Sequence, residues 1–84
     1  MPAVVVYLNL SCPYCVRATR LLDSKGVTYE VKRVDLDPQL WTEIKTRTGR
    51  STIPQIFIGE HHVGGCDDLH AAEARGELDQ LLKG

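Results

Sequence analysis

Hydrophobic residues along the first third of the chain switch between two spacings. Val4 to Leu8 is an uninterrupted apolar run, which is typical of a central strand covered on both faces. From Cys15 to Lys25 apolar residues recur at helical spacing, and Gly26 is a typical C-terminal stop. The predicted buried stripe of this helix is Tyr14, Ala18, Leu21 and Leu22. Val27 to Lys32 then alternates with a period of two, which predicts a second strand with Val27, Tyr29 and Val31 on its buried face. A β-α-β unit of this kind makes its two strands parallel.

The middle of the chain predicts a second helix. Asp37-Pro38 is a start signal, because a capping side chain precedes a proline at the first helical position, and Gly49 is the matching stop. The predicted buried stripe is Leu40, Trp41, Ile44 and Thr48, with Trp41 interpreted as core rather than as a ligand contact.

The last third predicts a hairpin and a final helix. Two short apolar strands, Ile56-Phe57-Ile58 and His61-His62-Val63, flank the turn residues Gly59-Glu60. Asp67 is expected to cap the final helix, with a break at Gly76. The predicted fold class is therefore α/β, with a mixed four-stranded sheet and the element order β-α-β-α-β-β-α.

Length and charge restrict the possible functions. Residues 1–84 are enough for one domain with one core. The net charge of −1 leaves no basic patch for nucleic acid, and no apolar run approaches the roughly 18 residues of a membrane span. Met1-Pro2 leads into strand-like sequence without a charged leader region. The three cysteines do not resemble the paired framework of a small secreted domain. We expect a monomeric, cytoplasmic protein that binds neither nucleic acid nor membranes.

The chemistry concentrates at Cys12-Pro13-Tyr14-Cys15, where the first strand gives way to the first helix. The first helical turn has N–H groups without intrahelical partners and a partial positive charge, so it stabilises a thiolate at Cys12. Pro13 suits the first helical position. Cys15 lies one turn further in, close enough for a disulfide with Cys12 after a small adjustment. We therefore expect Cys12 to attack and Cys15 to resolve.

The cysteine pair has two possible uses besides redox chemistry. A zinc site would need further ligands from Cys66, His70 and one of His61 and His62, but no second Cys-x-x-Cys or His-x-x-x-His motif follows. A structural disulfide would close so short a loop that it would remove little chain entropy. A redox role remains the better use of the two cysteines.

Three separated motifs together resemble those of one family. They are Cys12-Pro13-Tyr14-Cys15, Thr52-Ile53-Pro54 and Gly64-Gly65-Cys66-Asp67-Asp68. Their order and spacing resemble the glutaredoxins, most closely the short bacterial dithiol members, over essentially the whole chain. The resemblance implies a thioredoxin-like fold.

The resemblance also implies how glutathione is bound. The backbone of Ile53 would pair with the tripeptide like an added strand, and Pro54, an ordinary trans proline without the resemblance, would be cis. The N–H groups of Cys66 and Asp67 would bind the γ-glutamyl carboxylate, although the same turn could serve only as a helix cap. Tyr14 would lie along the tripeptide and Thr52 near Cys12. The implied binding residues are Tyr14, Thr52, Ile53, Pro54, Gly65, Cys66 and Asp67.

One position departs from the family. Many glutaredoxins have a lysine three residues before the first active cysteine, in contact with the glycine carboxylate of glutathione, whereas this chain has Asn9. Arg47 is a candidate replacement charge, and Arg50 also flanks the end of the second helix. On their own, both arginines are typical of solvated charges that complement a helix dipole.

The predicted function is a glutathione-dependent thiol-disulfide oxidoreductase without a metal. Glutathione is the reducing cosubstrate, and glutathionylated or disulfide-containing proteins are the partners. A thioredoxin-type reductant is disfavoured by the Gly-Gly-Cys-Asp-Asp turn. An iron–sulfur carrier, in which Cys12 and glutathione would hold a cluster between two chains, is disfavoured by Pro13, because cluster-carrying relatives mostly have a smaller residue there.

Overall fold

The computed structural model describes residues 2–84, so Met1 and the expectation of no leader at that residue lie outside the described chain. Four strands and four helices follow one another in the order β1 (Val4–Leu8), α1 (Pro13–Ser24), β2 (Glu30–Arg33), α2 (Gln39–Thr48), β3 (Gln55–Ile58), β4 (His61–Gly64), α3 (Cys66–Ala74) and α4 (Glu77–Lys83). No helix within residues 2–84 has the length and apolar character needed to span a bilayer.

The strands form one mixed sheet in the order β2-β1-β3-β4. Strand β1 runs parallel to β2, as the β-α-β unit predicts, and antiparallel to β3. Strands β3 and β4 form the predicted hairpin around Gly59-Glu60. The apolar run of β1 is therefore central, with a neighbour on each side.

Both faces of the sheet are covered, which explains why β1 is apolar throughout. Val4, Val6 and Leu8 point into a larger cluster that α1, α3 and α4 complete. Tyr7 points to the other face, into a smaller cluster with Val34, Ile44 of α2 and Phe57. Since successive strand residues face opposite ways, a strand between two helical layers needs apolar residues at every position.

Several predicted core residues are exposed. Strand β2 begins at Glu30 rather than at Val27, because Val27 and Tyr29 pack on the core from the preceding loop, and Val31 on this edge strand is 42% exposed. Tyr14, predicted to be on the buried face of α1, is 55% exposed. The first buried residue of that face is Cys15 instead. Ile44 is the one fully buried residue of α2, whereas the Trp41 side chain is 38% exposed. The prediction of Trp41 as core was wrong.

The ends of α2 follow the sequence signals to within one residue. The helix begins after Pro38, and the Asp37 carboxylate accepts a hydrogen bond from the Gln39 N–H at 3.1 Å. It ends at Gly49, whose φ of 74° is in the left-handed region that favours glycine.

The C-terminal helical region differs from the prediction in where it starts and in how many helices it contains. Gly65, not Asp67, is the N-cap of α3, and the Asp68 carboxylate accepts the Gly65 N–H at 2.9 Å. The chain breaks at Gly76, as predicted, and continues as α4, so the last helix of the predicted element order is two helices in the structure.

Candidate active site

Cys12 occupies the N-cap of α1, with Pro13 at the first helical position as predicted. Its N–H donates to the Asn9 carbonyl and its carbonyl accepts from the Val16 N–H, both at 3.1 Å. The backbone of Cys12 is thus fixed on both sides. Its side chain is partly exposed, whereas Cys15 is 2% exposed.

The environment of Cys15 disfavours its ionisation. Burial raises the pKa of the Cys15 thiol to about 12, a backbone hydrogen bond from Asn9 partly offsets this, and the neighbouring Cys12 sulfur raises the pKa further. Cys15 is therefore a protonated thiol at neutral pH. This asymmetry suits an exposed attacking sulfur and a buried resolving one.

A cavity of about 230 Å³ opens beside the N-terminus of α1. Three separated segments supply its walls: the start of α1, the loop before β3, and the turn into α3. All seven residues predicted to bind glutathione line it, together with two more, Arg50 and Asp68. The Ile53–Pro54 peptide bond is cis, as the resemblance implied. Gly65 approaches the cis-proline segment closely, since a Cβ there would stand 3.4 Å from the Pro54 carbonyl oxygen.

Arg50 and Asp68 form an ion pair at the rim of this cavity. Arg50 Nη1 donates to Asp68 Oδ2 at 2.9 Å, and the same oxygen accepts the Gly65 N–H. The hydrogen bonds from Arg50 and then Gly65 hold the pKa of Asp68 below its ordinary value. Asp68 therefore joins the start of α3 to Arg50. The sequence alone does not predict this ion pair, because its two residues are 18 positions apart.

The two other candidates for a charged or polar contact lie elsewhere. Arg47 donates to the Tyr7 hydroxyl at 2.9 Å and its guanidinium lies 3.8 Å from the Phe57 ring centre. The Asn9 side chain accepts hydrogen bonds from the N–H and hydroxyl of Ser11, each at 3.0 Å. Asn9 lines a smaller cavity of about 140 Å³ that includes Cys15. Among the arginines weighed from the sequence, Arg50 is the one that lines the larger cavity.

A polar path behind Thr52 was not anticipated from the sequence. Gln55 is fully buried and its Nε2 lies 3.1 Å from both the carbonyl oxygen and the hydroxyl of Thr52. Its Oε1 lies 2.7 Å from His62 Nε2. The one available signal was a polar residue at the start of an otherwise apolar strand.

Cys66, the third cysteine, is buried at the start of α3. Burial raises the pKa of the Cys66 thiol, and the nearby Arg17 only partly offsets it. Within residues 2–84, no group of three or more His, Cys, Asp or Glu side chains is arranged to hold a metal ion.

A partly exposed cysteine at a helix N-terminus, a buried cysteine one turn later and a facing cis-proline loop define a thiol-disulfide oxidoreductase of thioredoxin-like fold. The family model for glutaredoxins matches residues 4–63. The chain belongs to the glutaredoxin family.

Curated and solved relatives agree with this assignment. A glutaredoxin of Pseudomonas aeruginosa is 54% identical over 82 residues, which is 98% of each chain. The solution structure of a glutaredoxin from Brucella melitensis is 51% identical and superposes with a TM-score of 0.87, covering 99% of this chain and 90% of that one. A buckwheat glutaredoxin solved as a glutathione complex is 30% identical with a TM-score of 0.92, covering 98% and 77%. The predicted activity, a glutathione-dependent disulfide oxidoreductase, is confirmed.

Proposed function

We propose that Cys12 exchanges disulfides with glutathione bound in the 230 Å³ cavity, and that Cys15 resolves disulfides of protein substrates. The single observation that carries this proposal is the convergence of three distant motifs on one cavity at the start of α1, the helix whose N-cap is Cys12. The buckwheat relative, solved with glutathione, supports the choice of ligand.

The cavity offers complementary groups for each end of the tripeptide. The N–H groups of Cys66 and Asp67 belong to the first turn of α3, where N–H groups lack intrahelical partners and attract a carboxylate. Ile53, before the cis-proline, offers its backbone for strand-like pairing. Arg50, paired with Asp68, adds guanidinium N–H donors at the rim, and the exposed ring of Tyr14 forms a further wall.

The monothiol route uses Cys12 alone. The Cys12 thiolate attacks the glutathione sulfur of a glutathionylated protein, the mixed disulfide breaks, and the protein thiolate leaves and takes up a proton. A second glutathione thiolate then attacks the glutathione sulfur held on Cys12. This step forms oxidised glutathione and restores the Cys12 thiolate.

The dithiol route requires Cys15. Cys12 attacks a protein disulfide and forms a mixed disulfide, which Cys15 then attacks at the Cys12 sulfur. The protein leaves as a dithiol and the Cys12–Cys15 disulfide remains, to be reduced by two glutathione molecules. Burial is the main cause that raises the pKa of Cys15 to about 12 in the reduced protein, so Cys15 starts as a thiol and releases its proton when the Cys12–Cys15 disulfide forms.

The setting we propose is a single domain, residues 1–84, that acts as a monomer in the cytoplasm. Light scattering coupled to size exclusion, with and without reductant, tests the monomer.

Two serine variants test the roles of the cysteines. Cys12→Ser should abolish reduction of both a glutathionylated peptide and a protein disulfide, because the attacking sulfur is gone. Cys15→Ser should keep deglutathionylation and lose most protein disulfide reduction. The two assays control for each other, since a misfolded Cys15→Ser protein would fail in both. Equal loss in both variants and both assays would contradict the assignment.

A further inference from the structure

The buried amide of Gln55 connects a histidine on β4 to the threonine that lines the cavity. Gln55 is fully buried at the start of β3, beside Tyr7 of the central strand. Its two amide atoms face opposite ways, the nitrogen toward Thr52 and the oxygen toward His62. A buried amide with every donor and acceptor engaged has one orientation.

The direction of each hydrogen bond follows from the Thr52 carbonyl. A carbonyl oxygen only accepts, so the Gln55 group facing it at 3.1 Å must be the NH₂. The second N–H of the same nitrogen reaches the Thr52 hydroxyl, also at 3.1 Å, and that oxygen therefore accepts. Gln55 Oε1 then faces His62 at 2.7 Å, and His62 Nε2 must carry the proton.

His62 is itself held in place. Its ring lies 4.9 Å from the Phe57 ring, centre to centre, with 31° between the planes. Burial, followed by the nearby Arg50 charge, lowers the pKa of His62, so the ring is neutral at pH 7 and carries a single N–H. The path therefore runs in one direction, from the His62 N–H to Gln55 and from the Gln55 N–H groups to Thr52.

This arrangement leaves the proton of the Thr52 hydroxyl free for another acceptor. The oxygen accepts from Gln55 on its buried side, while Thr52 is exposed and lines the cavity. Within residues 2–84 this hydroxyl donates to no protein group.

We propose that Gln55, oriented by His62, positions the Thr52 hydroxyl as a hydrogen-bond donor to an acceptor of glutathione bound in the cavity. The inference rests on the proposed function. Gln55 and His62 are positioning residues, since neither lines the cavity. Without Gln55, the hydroxyl would be free to rotate and would no longer be fixed as a donor toward the ligand.

Two changes at Gln55 test the proposal. Gln55→Met keeps the approximate volume but removes both N–H groups. Gln55→Glu replaces them with acceptors, so the Thr52 hydroxyl should donate to the carboxylate instead of to the ligand. Each should raise the KM for a glutathionylated peptide by about threefold to tenfold, the range expected for one lost hydrogen bond, with kcat nearly unchanged.

A double-mutant cycle separates this role from general support of the loop. Thr52→Val should raise the KM by a similar factor, because it removes the hydroxyl, whereas Thr52→Ser, which keeps a hydroxyl but loses the methyl group, should raise the KM by a smaller factor than Thr52→Val. In the Thr52→Val background, Gln55→Met should add less than a twofold change. A full additional increase would show that Gln55 acts through something other than the hydroxyl and would overturn the proposal, as would an unchanged KM in both Gln55 variants.

Two further measurements apply even if a Gln55 variant fails to fold. His62→Phe keeps the stacking on Phe57 but removes the N–H, and should raise the KM for the glutathionylated peptide as the Gln55 variants do. His61→Phe, at the neighbouring exposed position, is the matched control. In the wild-type protein, ¹⁵N NMR of neutral His62 should show the Nε2–H tautomer. The Nδ1–H tautomer would contradict the proposed direction. Loss of activity in Cys12→Ser with a wild-type KM in every Gln55 variant would leave the proposed function standing and reject this inference alone.

Discussion

Replacing Tyr7 with phenylalanine should lower the stability of the fold measurably, because the Tyr7 hydroxyl joins the sheet to α2. Tyr7 is fully buried in β1. Its hydroxyl donates to Glu43 Oε1 at 2.5 Å and accepts from Arg47 Nη1 at 2.9 Å. Tyr7→Phe removes the oxygen that both charged groups share, while the ring keeps its edge-on contact with Phe57, at 5.9 Å between centres.

The loss should be smaller than two full charge-assisted hydrogen bonds, each worth roughly 1.5–3 kcal/mol. Glu43 keeps its ion pair with Lys32 at 3.2 Å, and its side chain is 37% exposed, so water partly replaces the hydroxyl. The Arg47 guanidinium keeps its contact with the Phe57 ring, 3.8 Å from the ring centre. We therefore expect the free energy of unfolding to fall by about 1–2 kcal/mol, which for a domain of this size lowers Tm by roughly 4–16 °C.

Thermal and urea unfolding measure this difference, with Tyr29→Phe as the matched control. The Tyr29 hydroxyl donates to Asp23 at 2.9 Å in an exposed pair, so its removal should change the free energy of unfolding by less than about 0.5 kcal/mol. Equal effects of the two substitutions would refute the argument.

The difference in stability between wild type and Tyr7→Phe should depend on pH. The hydrogen bond from Tyr7, followed by the contacts of Lys32, holds the pKa of Glu43 below its ordinary value. A lowered carboxyl pKa contributes stability that is present above the ordinary glutamate value of about 4.3 and is lost as pH falls through the lowered value. The gap between wild type and Tyr7→Phe should stay constant from pH 8 to about 5 and narrow at lower pH. A gap that widens below that range would contradict the sign.

Three further predictions concern the site. Iodoacetamide at pH 7 should label Cys12 well before Cys15, because burial of Cys15 keeps its pKa near 12; peptide mass spectrometry gives the order. Arg50→Gln should raise the KM for glutathione by up to about fivefold at low salt, with a smaller effect at high salt, since an exposed charge contact is worth roughly 0.2–1 kcal/mol. Gly64→Ala should lower Tm, because φ at Gly64 is 118° and an added Cβ would overlap the Asp68 carboxylate; Gly64→Ala in an Asp68→Ala background should lose less, which differential scanning calorimetry would show.

The sequence predicted most of the fold because its signals were local. The apolar run of β1, the helix stop at Gly49 and the break at Gly76 each follow from a few neighbouring residues, and the structure has them where expected. Errors arose where burial depends on the distant partner. Trp41 fits the helical stripe of α2, but the sheet beneath α2 fully buries only Ile44.

In the candidate site, too, the local motifs were predicted from the sequence and the long-range side-chain pairings were not. Each of the three family motifs contributes residues to one cavity, and the cysteine pair has the predicted unequal burial. Asn9, by contrast, is engaged with Ser11, and Arg50 pairs with Asp68 across the cavity rim. Such pairings depend on how the loops meet in space, and no periodicity or spacing in a single sequence encodes them.

The sheet order also determines when this cavity can exist during folding. Strand β1 pairs with β3, in a register that joins Val6 to Ile56 and Tyr7 to Gln55, so roughly fifty residues lie between partners of the central pair. Closing so long a loop carries an entropic cost that local helix formation does not recover. The N-terminal β-α-β segment carries both active cysteines, but it lacks the loop at residues 52–54 and the turn into α3. Glutathione binding should therefore appear together with the final cooperative step of refolding, while thiol reactivity at Cys12 can precede it.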